Sequence, residues 1–198
     1  MRIVLHVGCG PSHDVPTMFQ GDDWHQVRLD IDATVAPDIV SPITSIPLLD
    51  NYATGLFSSH CLEHLYSHEV PVALREFFRV LRPGGIVFLT VPDIQRVAAA
   101  IAESGDLDQT IYDSASGPIA GADILWGFRQ AVAGGNLFYQ HKTGFCKRTL
   151  TKLLEEAGFN ISATYNQGQW DIIALATKPG GDNVSTLPCC EHYDNYRR

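Results

Sequence analysis

Short apolar runs, each ending in a polar or turn-forming residue, dominate the first half of the chain. The runs at residues 3–7 and 86–91 are rich in β-branched side chains and end at a glycine and a proline, which is typical of buried strands. Weaker runs at residues 27–31, 38–40 and 56–59 predict three further strands. We therefore expect a sheet to be largely complete before the middle of the chain.

One long segment between these strands has a helical pattern instead. Across residues 67–81, apolar side chains recur at spacings of three and four residues, Ser67 is a suitable N-cap, and a Pro-Gly-Gly stop follows. Residues 94–102 and 149–157 are expected to form two more helices. Strands that alternate with helices in this way predict a parallel sheet covered on both faces.

The last two predicted strands, residues 160–165 and 170–177, are separated by only four residues, so they are expected to pair as an antiparallel hairpin. The predicted fold class is therefore α/β: a Rossmann-like, doubly wound sheet that is mostly parallel and has a C-terminal antiparallel hairpin strand. We expect one domain over residues 1–178 and a polar tail over residues 179–198. Residues 94–145 are predicted to be an insertion outside the common core.

Composition narrows the range of partners. No apolar run reaches the roughly 18 residues that a membrane span needs, and no secretory signal is recognisable. The five cysteines are an odd number without regular spacing, which favours reduced thiols in the cytoplasm. Because 14 basic residues face 22 acidic ones, the net charge of −8 argues against a nucleic acid as partner. A small-molecule substrate is the better expectation, while the sequence carries no signal for an oligomeric state.

The ends of the first two predicted strands carry the chemistry of a nucleoside site. Gly8 and Gly10 follow the first strand, where a chain without Cβ atoms can turn sharply and approach a ligand. Asp30 closes the second strand, where a carboxylate can accept hydrogen bonds from both hydroxyls of a ribose. Each feature alone has an ordinary explanation: the glycines could form a simple tight turn, and the aspartate could be a solvated surface acid. Together, at adjacent strand ends, they predict an adenosine site.

This adenosine site lacks the features that bind a pyrophosphate. The second glycine is followed by Pro11-Ser12-His13, so the third glycine of a dinucleotide motif is missing. A full crossover helix also barely fits between Gly10 and Val27. A dehydrogenase is therefore the least favoured class, and we expect an adenosine ligand without phosphates.

Five motifs in order resemble the class I methyltransferases of the type 11 group over roughly residues 2–177. They read L-H-V-G-C-G-P, V-R-L-D-I-D, S-S-H-C-L-E-H-L, F-R-V-L-R-P-G-G-I-V-F-L-T-V-P-D and L-L-E-E-A-G-F. The resemblance implies an enzyme that uses S-adenosyl-L-methionine to methylate a small-molecule acceptor. By the same resemblance, the cofactor site consists of Val7, Gly8, Cys9, Gly10, Asp30, Ile31, Ile43, Ser59 and His60.

The sequence departs from the family pattern at three acidic positions. His6, Pro42 and Thr54 stand at or near places where the family usually has acids. The missing acids at His6 and Pro42 slightly favour an alternative function, a non-catalytic partner protein that binds S-adenosylmethionine or S-adenosylhomocysteine.

The acceptor site is expected beneath residues 94–145, because insertions after the fifth strand cover the substrate in this fold. His141 and His60 are the candidate catalytic residues, and His141 or Arg129 is expected near the transferred methyl group. A structural hydrogen bond near the start of the helix predicted at residues 149–157 is an equally good interpretation of His141. Three aromatic residues of this segment could line the acceptor site or instead form a small satellite core. They are Trp126, Phe128 and Tyr139.

A zinc hydrolase is a lesser alternative. Residues 60–64 read H-x-x-E-H, a peptidase pattern that needs a helix and a third ligand. Since the motif follows a strand directly, we assign no metal ligands and expect His64 to serve in packing or hydrogen bonding. Cys189-Cys190-Glu191-His192 in the tail is interpreted as incidental.

Overall fold

A central seven-stranded sheet organises the molecule, seen here in a computed structural model that describes residues 1–114, 116–167 and 170–181. The strands are β1 (Arg2–Val7), β2 (Trp24–Asp30), β3 (Ile39–Val40), β4 (Ala53–Ser59), β5 (Leu81–Pro92), β6 (Thr110–Ser114), β7 (Gly117–Ala120), β8 (Asn160–Gln167) and β9 (Asp171–Thr177). The α-helices are α1 (Val70–Val80), α2 (Ile94–Ser104), α3 (Gly121–Trp126), α4 (Arg129–Ala133) and α5 (Lys147–Glu156).

The strand order is β3-β2-β1-β4-β5-β9-β8. The first five strands run parallel, and β9 pairs antiparallel with both β5 and β8. This topology confirms the predicted Rossmann-like sheet and its C-terminal antiparallel hairpin. Because the order reverses at β1, the loops after β1 and β4 diverge and leave a crevice at the carboxyl ends of these strands.

The two faces of the sheet are covered differently. Apolar side chains of α1 and α5, among them Phe77 and Leu150, are buried against one face. On the other face, no α-helix lies between β1 and β2, as the short spacing predicts. A 3₁₀ helix (Thr17–Phe19) inserts Phe19 there, beside Phe57 and Phe88. One aromatic side chain thus replaces part of the packing that a crossover helix would supply.

The start of α1 is the clearest error in the predicted elements. The helix begins at Val70, not at Ser67, and Ser67 is not its N-cap. Pro71 explains the difference, since proline fits the first turn of a helix, where its missing N–H costs no hydrogen bond. At its other end, α1 runs directly into β5 at Leu81.

The insertion after β5 is more ordered than its sequence pattern indicates. It forms α2, a hairpin of β6 and β7, two short helices and a 3₁₀ helix (Leu137–Tyr139). Val97, Ile119 and Ile124 form a separate small core, which Phe128 joins. No helix in the described part of the chain is long and apolar enough to cross a membrane.

A buried histidine in the central strand predicts how stability depends on pH. Burial, followed by the nearby charges of Arg28 and His13, lowers the pKa of His6 from 6.5 to about 4. Between these pH values an unfolded chain binds a proton that the folded chain rejects. The free energy of unfolding should therefore fall by about 3 kcal/mol as pH decreases from 6.5 to 4.

The matched variant is His6→Asn, because the amide oxygen can still accept the hydrogen bond that Gln26 donates to Nδ1 of His6. Urea unfolding of His6→Asn across this pH range should show a flatter dependence, while the exposed His25→Asn control should keep the steep one. Equal slopes in both variants would contradict the assignment.

Candidate active site

A glycine loop follows β1 and forms one wall of the site. Gly8 and Gly10 have φ angles of +61° and +52°, in the left-handed region that favours glycine. A Cβ atom on Gly8 would lie 2.3 Å from Sγ of Cys61, so glycine is needed for close packing against the segment after β4. A Cβ atom on Gly10 would meet no atom within 4 Å, because the backbone there faces open space.

Asp30 connects the end of β2 to this glycine loop. The Gly10 N–H donates to Oδ2 of the buried Asp30 carboxylate at 2.7 Å, and the Asp32 N–H donates to Oδ1 at 2.9 Å. Each carboxylate oxygen has a second lone pair, so Asp30 can still accept hydrogen bonds from a ligand. The carboxylate therefore fixes the loop and offers acceptors to the space beside it.

Arg28 is a structural residue of the site that the sequence did not reveal. Its buried guanidinium donates to the carbonyl oxygens of Gly10 at 2.6 Å, Ser12 at 3.3 Å and Ala36 at 3.1 Å. These bonds hold the loops after β1 and β2 together. The signal for this role in the sequence is a charged arginine between the apolar positions of a predicted buried strand.

These loops border a cavity with a volume of about 400 Å³. Of the predicted cofactor residues, six line it: Gly8, Gly10, Asp30, Ile31, Ile43 and His60. Val7, Cys9 and Ser59 are next to these residues in the chain but do not line the cavity. The cavity wall also includes Pro42, which cannot accept a hydrogen bond through its side chain.

The insertion after β5 closes the cavity from the other side. Asn136, Phe138, Tyr139 and Lys142 line it, so part of the 94–145 segment does lie over the crevice. The expectation for Arg129 is wrong, because its guanidinium pairs with carboxylates of the same segment, Asp108 and Asp123, and is not part of the cavity wall. Tyr139 lines the cavity, whereas Phe128 belongs to the satellite core.

His60 stands where β4 ends, in an unusual backbone conformation. Its φ angle is +48°, which is uncommon for a residue other than glycine and marks a local constraint. The Nδ1 atom lies 3.3 Å from Oε1 of Glu63, and Nε2 lies 3.7 Å from Oδ1 of Asp171. Asp171 at the start of β9 was missed, because only the folded sheet brings it to the end of β4.

His141 is placed behind the cavity wall. Its Nδ1 atom lies 2.8 Å from the Ile124 carbonyl oxygen, and its ring packs edge-on against His64 at 4.8 Å. Burial lowers the pKa of His141. The ring is thus engaged in a structural hydrogen bond, one of the two interpretations considered, although its partner belongs to α3 and not to α5.

The H-x-x-E-H motif does not form a peptidase helix. His60 precedes a 3₁₀ helix of only three residues (Leu62–His64), so the two histidines do not share one face of an α-helix. Glu63 is buried, with 1% exposure. Burial alone would raise the pKa of Glu63, but His60, His64 and His141 together hold that pKa below its usual range. The cysteine-rich part of the tail lies outside the described residues.

Comparison with known proteins agrees with this architecture. Residues 5–89 match the family described as Methyltransferase domain. No curated protein sequence matches the chain. A methyltransferase from Archaeoglobus fulgidus, described as SAM dependent, superposes with a TM-score of 0.60 at 16% identity, covering 89% of this chain and 86% of that chain.

Two further solved structures have the same fold. A SAM-dependent methyltransferase from Aquifex aeolicus gives a TM-score of 0.58 at 15% identity, covering 88% of this chain and 81% of that chain. The 1,6-didemethyltoxoflavin-N1-methyltransferase of Burkholderia thailandensis was solved with 1,6-didemethyltoxoflavin and S-adenosylhomocysteine. It gives a TM-score of 0.57 at 15% identity, covering 89% of this chain and 71% of that chain. Family and fold both indicate S-adenosylmethionine as the cofactor. Residues 5–89 thus match the methyltransferase-domain family, and the chain has the α/β fold of S-adenosylmethionine-dependent methyltransferases.

Proposed function

We propose that this protein is an enzyme that transfers a methyl group from S-adenosylmethionine to a small-molecule acceptor bound under residues 94–145. The observation that carries the proposal is one cavity with two kinds of lining. Gly10 and Asp30 are offered to a nucleoside, and His60, Phe138 and Tyr139 are offered to a second ligand.

The residues present fit an adenosine ligand without phosphates. Space beside Gly10 is open, Asp30 keeps free lone pairs, and Ile31 and Ile43 provide apolar surface for a purine. The volume of about 400 Å³ lies within the range of small-molecule sites. The glycine loop does not offer a pyrophosphate site, because no α-helix begins after it and the neighbouring Arg28 guanidinium is engaged by carbonyl groups.

When bound, S-adenosylmethionine supplies an activated methyl group on a sulfonium sulfur. The chain then has to orient the acceptor, exclude water and remove a proton where the acceptor is a weak nucleophile. Phe138 and Tyr139 supply apolar cover. His60 supplies the imidazole, and the neighbouring carboxylates of Glu63 and Asp171 stabilise the positive charge that the ring gains with a proton.

The two candidate catalytic histidines receive different roles in this proposal. His60 lines the cavity and can touch an acceptor. His141 does not line the cavity but packs against His64, which does, so we assign it a positioning role for that wall. A small acceptor also fits the acidic balance of the chain, with its net charge of −8.

Turnover with a panel of acceptors tests the proposal. The purified protein is incubated with S-adenosylmethionine and hydroxyl, amine, thiol or carbon nucleophiles, and formation of S-adenosylhomocysteine is measured. At least one class of nucleophile should raise the rate of S-adenosylhomocysteine formation well above the rate measured without an acceptor. Saturable binding of S-adenosylhomocysteine with no turnover on any acceptor would favour the non-catalytic binding partner instead.

A further inference from the structure

Glu63 has a buried carboxylate that no donor among the described residues meets in hydrogen-bond geometry, although Nδ1 of His60 lies 3.3 Å from its Oε1. Its side chain is 1% exposed, and neither Oε1 nor Oε2 has a hydrogen-bond partner within the described parts of the chain. Burying a carboxylate in this way costs several kcal/mol unless a positive charge compensates for it. The groups that surround Glu63 are the imidazoles of His60, His64 and His141, which lower its pKa. A cation bound beside these side chains would compensate further for the buried negative charge.

Two histidines offer nitrogen ligands beside this carboxylate. One ligand atom each from Glu63, His64 and His141 lie within 4.8 Å of one another. Ligands around a tetrahedral Zn²⁺ ion lie about 3.3 Å apart, since each is about 2 Å from the metal. The three side chains would have to approach by roughly 1 Å or more on binding, a movement that rotamer adjustment can provide.

Backbone carbonyls fix the protonation of both rings. Nδ1 of His64 lies 3.0 Å from the Gln140 carbonyl oxygen, and Nδ1 of His141 lies 2.8 Å from that of Ile124. A carbonyl oxygen only accepts, so each Nδ1 must donate, and Nε2 of each neutral ring keeps its lone pair. A donor bond from the second ring nitrogen to a carbonyl or carboxylate is the usual support of a metal-binding histidine.

The backbone also holds the two ligand-bearing segments together. The N–H groups of Lys142 and Thr143 donate to the Glu63 carbonyl oxygen at 2.8 and 3.2 Å. The His141 N–H donates to the carbonyl oxygen of Trp126 at 3.1 Å. The segment from the insertion is thus fastened to the 3₁₀ helix after β4 by backbone hydrogen bonds, which do not use the side-chain atoms of the candidate ligands.

We propose that Glu63, His64 and His141 bind a divalent transition-metal ion of the Zn²⁺ type. On sequence alone no metal ligands are assigned, because the H-x-x-E-H motif follows a strand directly; the structure adds His141, from a distant segment, to Glu63 and His64. Two imidazoles and a carboxylate suit Zn²⁺ and its neighbours in the first transition row. The three ligands leave a coordination position open, and His64 lines the cavity. The ion accordingly stands at the acceptor end of the site.

Metal binding is measured without any assay of methyl transfer, so its failure is distinguishable from failure of the proposed function. The full chain is treated with a chelator, dialysed and titrated with Zn²⁺ by calorimetry, and then with Co²⁺ followed by visible absorption. The expected result is one ion per chain. Glu63→Gln and His141→Asn should each weaken binding at least about tenfold.

Two controls separate this site from other metal ligands. His25→Asn and the double variant Cys189→Ser/Cys190→Ser should bind as tightly as the original chain. Thermal unfolding of each variant shows whether it folds. If one of the two ligand variants does not fold, the other is sufficient for the comparison of metal binding with the original chain. Absence of binding to the original chain would overturn the proposal, as would binding that survives both ligand substitutions or disappears in the cysteine variant.

Discussion

Replacing His60 by asparagine is expected to lower the rate of methyl transfer by about 10²- to 10⁴-fold, the range that general bases contribute. His60 lines the cavity, and its two ring nitrogens face the carboxylates of Glu63 and Asp171 at 3.3 and 3.7 Å. An amide cannot take up the proton of an acceptor. The reduction should be largest for hydroxyl acceptors, which need a base most, and smallest for thiols that are already ionised.

Asparagine is chosen because the backbone at position 60 has a φ angle of +48°. Asparagine tolerates the left-handed region better than alanine or other side chains, so the variant should fold. The matched control is His68→Asn, an exposed histidine that does not line the cavity. Steady-state kinetics should show a loss in kcat, while the Kd for S-adenosylhomocysteine changes by less than about threefold.

The role of His60 would be contradicted by either of two outcomes. A kcat in His60→Asn equal to that of the control would remove the base from the mechanism. A parallel loss of cofactor affinity and rate would instead assign His60 to cofactor binding, the other role that the sequence resemblance implies for this residue.

Replacing Asp30 by alanine is expected to weaken cofactor binding by about 1–3 kcal/mol, or roughly 5- to 150-fold, the range for hydrogen bonds to a charged group. The buried carboxylate can accept from ribose hydroxyls through its remaining lone pairs. It also accepts the N–H of Gly10 at 2.7 Å and so holds the glycine loop in place. Both effects act in the same direction, which favours the upper part of the range.

Asp32→Ala is the matched control for Asp30→Ala. Asp32 is two residues away, and its carboxylate accepts from the Thr34 N–H and hydroxyl in a 3₁₀ helix (Ala33–Val35). Its loss should therefore weaken binding much less. Calorimetry with S-adenosylhomocysteine gives both values, and thermal unfolding reports whether either variant loses stability. A larger effect from Asp32 than from Asp30 would place the ribose two residues further along the chain.

The elements that depend on local pattern could be predicted well from the sequence. Apolar β-branched runs specify β1 and β5, and the short loop after residue 165 specifies the antiparallel hairpin of β8 and β9. The glycine loop and Asp30 could also be found, because both lie directly at strand ends. In a parallel sheet, neighbouring strand ends meet at one edge, so linear order translates into proximity.

The features that were missed depend on contacts between distant segments. Asp171 reaches His60 because β9 inserts next to β5, and no local pattern indicates which strand occupies that position. Arg28 looks like one charge in an apolar strand until the loops after β1 and β2 bring four carbonyl groups around it. The predicted start of α1 was wrong for a local reason, because Pro71 and Ser67 are competing signals for the beginning of a helix.

His141 illustrates the limit of reasoning from residue type. The sequence predicts a polar group facing the acceptor, and the chain does bring residue 141 near that end of the site. The hydrogen bond to the Ile124 carbonyl oxygen and the position behind His64 put its ring one layer away from the cavity. From the segment after β5, the residues that line the cavity instead are Asn136, Phe138, Tyr139 and Lys142.

Binding of the cofactor is the central claim, and calorimetry of the unmodified chain with three ligands tests it most directly. S-adenosylmethionine and S-adenosylhomocysteine should each bind saturably at one site per chain, and NAD should give no signal. This pattern follows from Asp30 as the acceptor for ribose and from a glycine loop that no α-helix follows. Tight binding of NAD together with no response to S-adenosylhomocysteine would contradict the account.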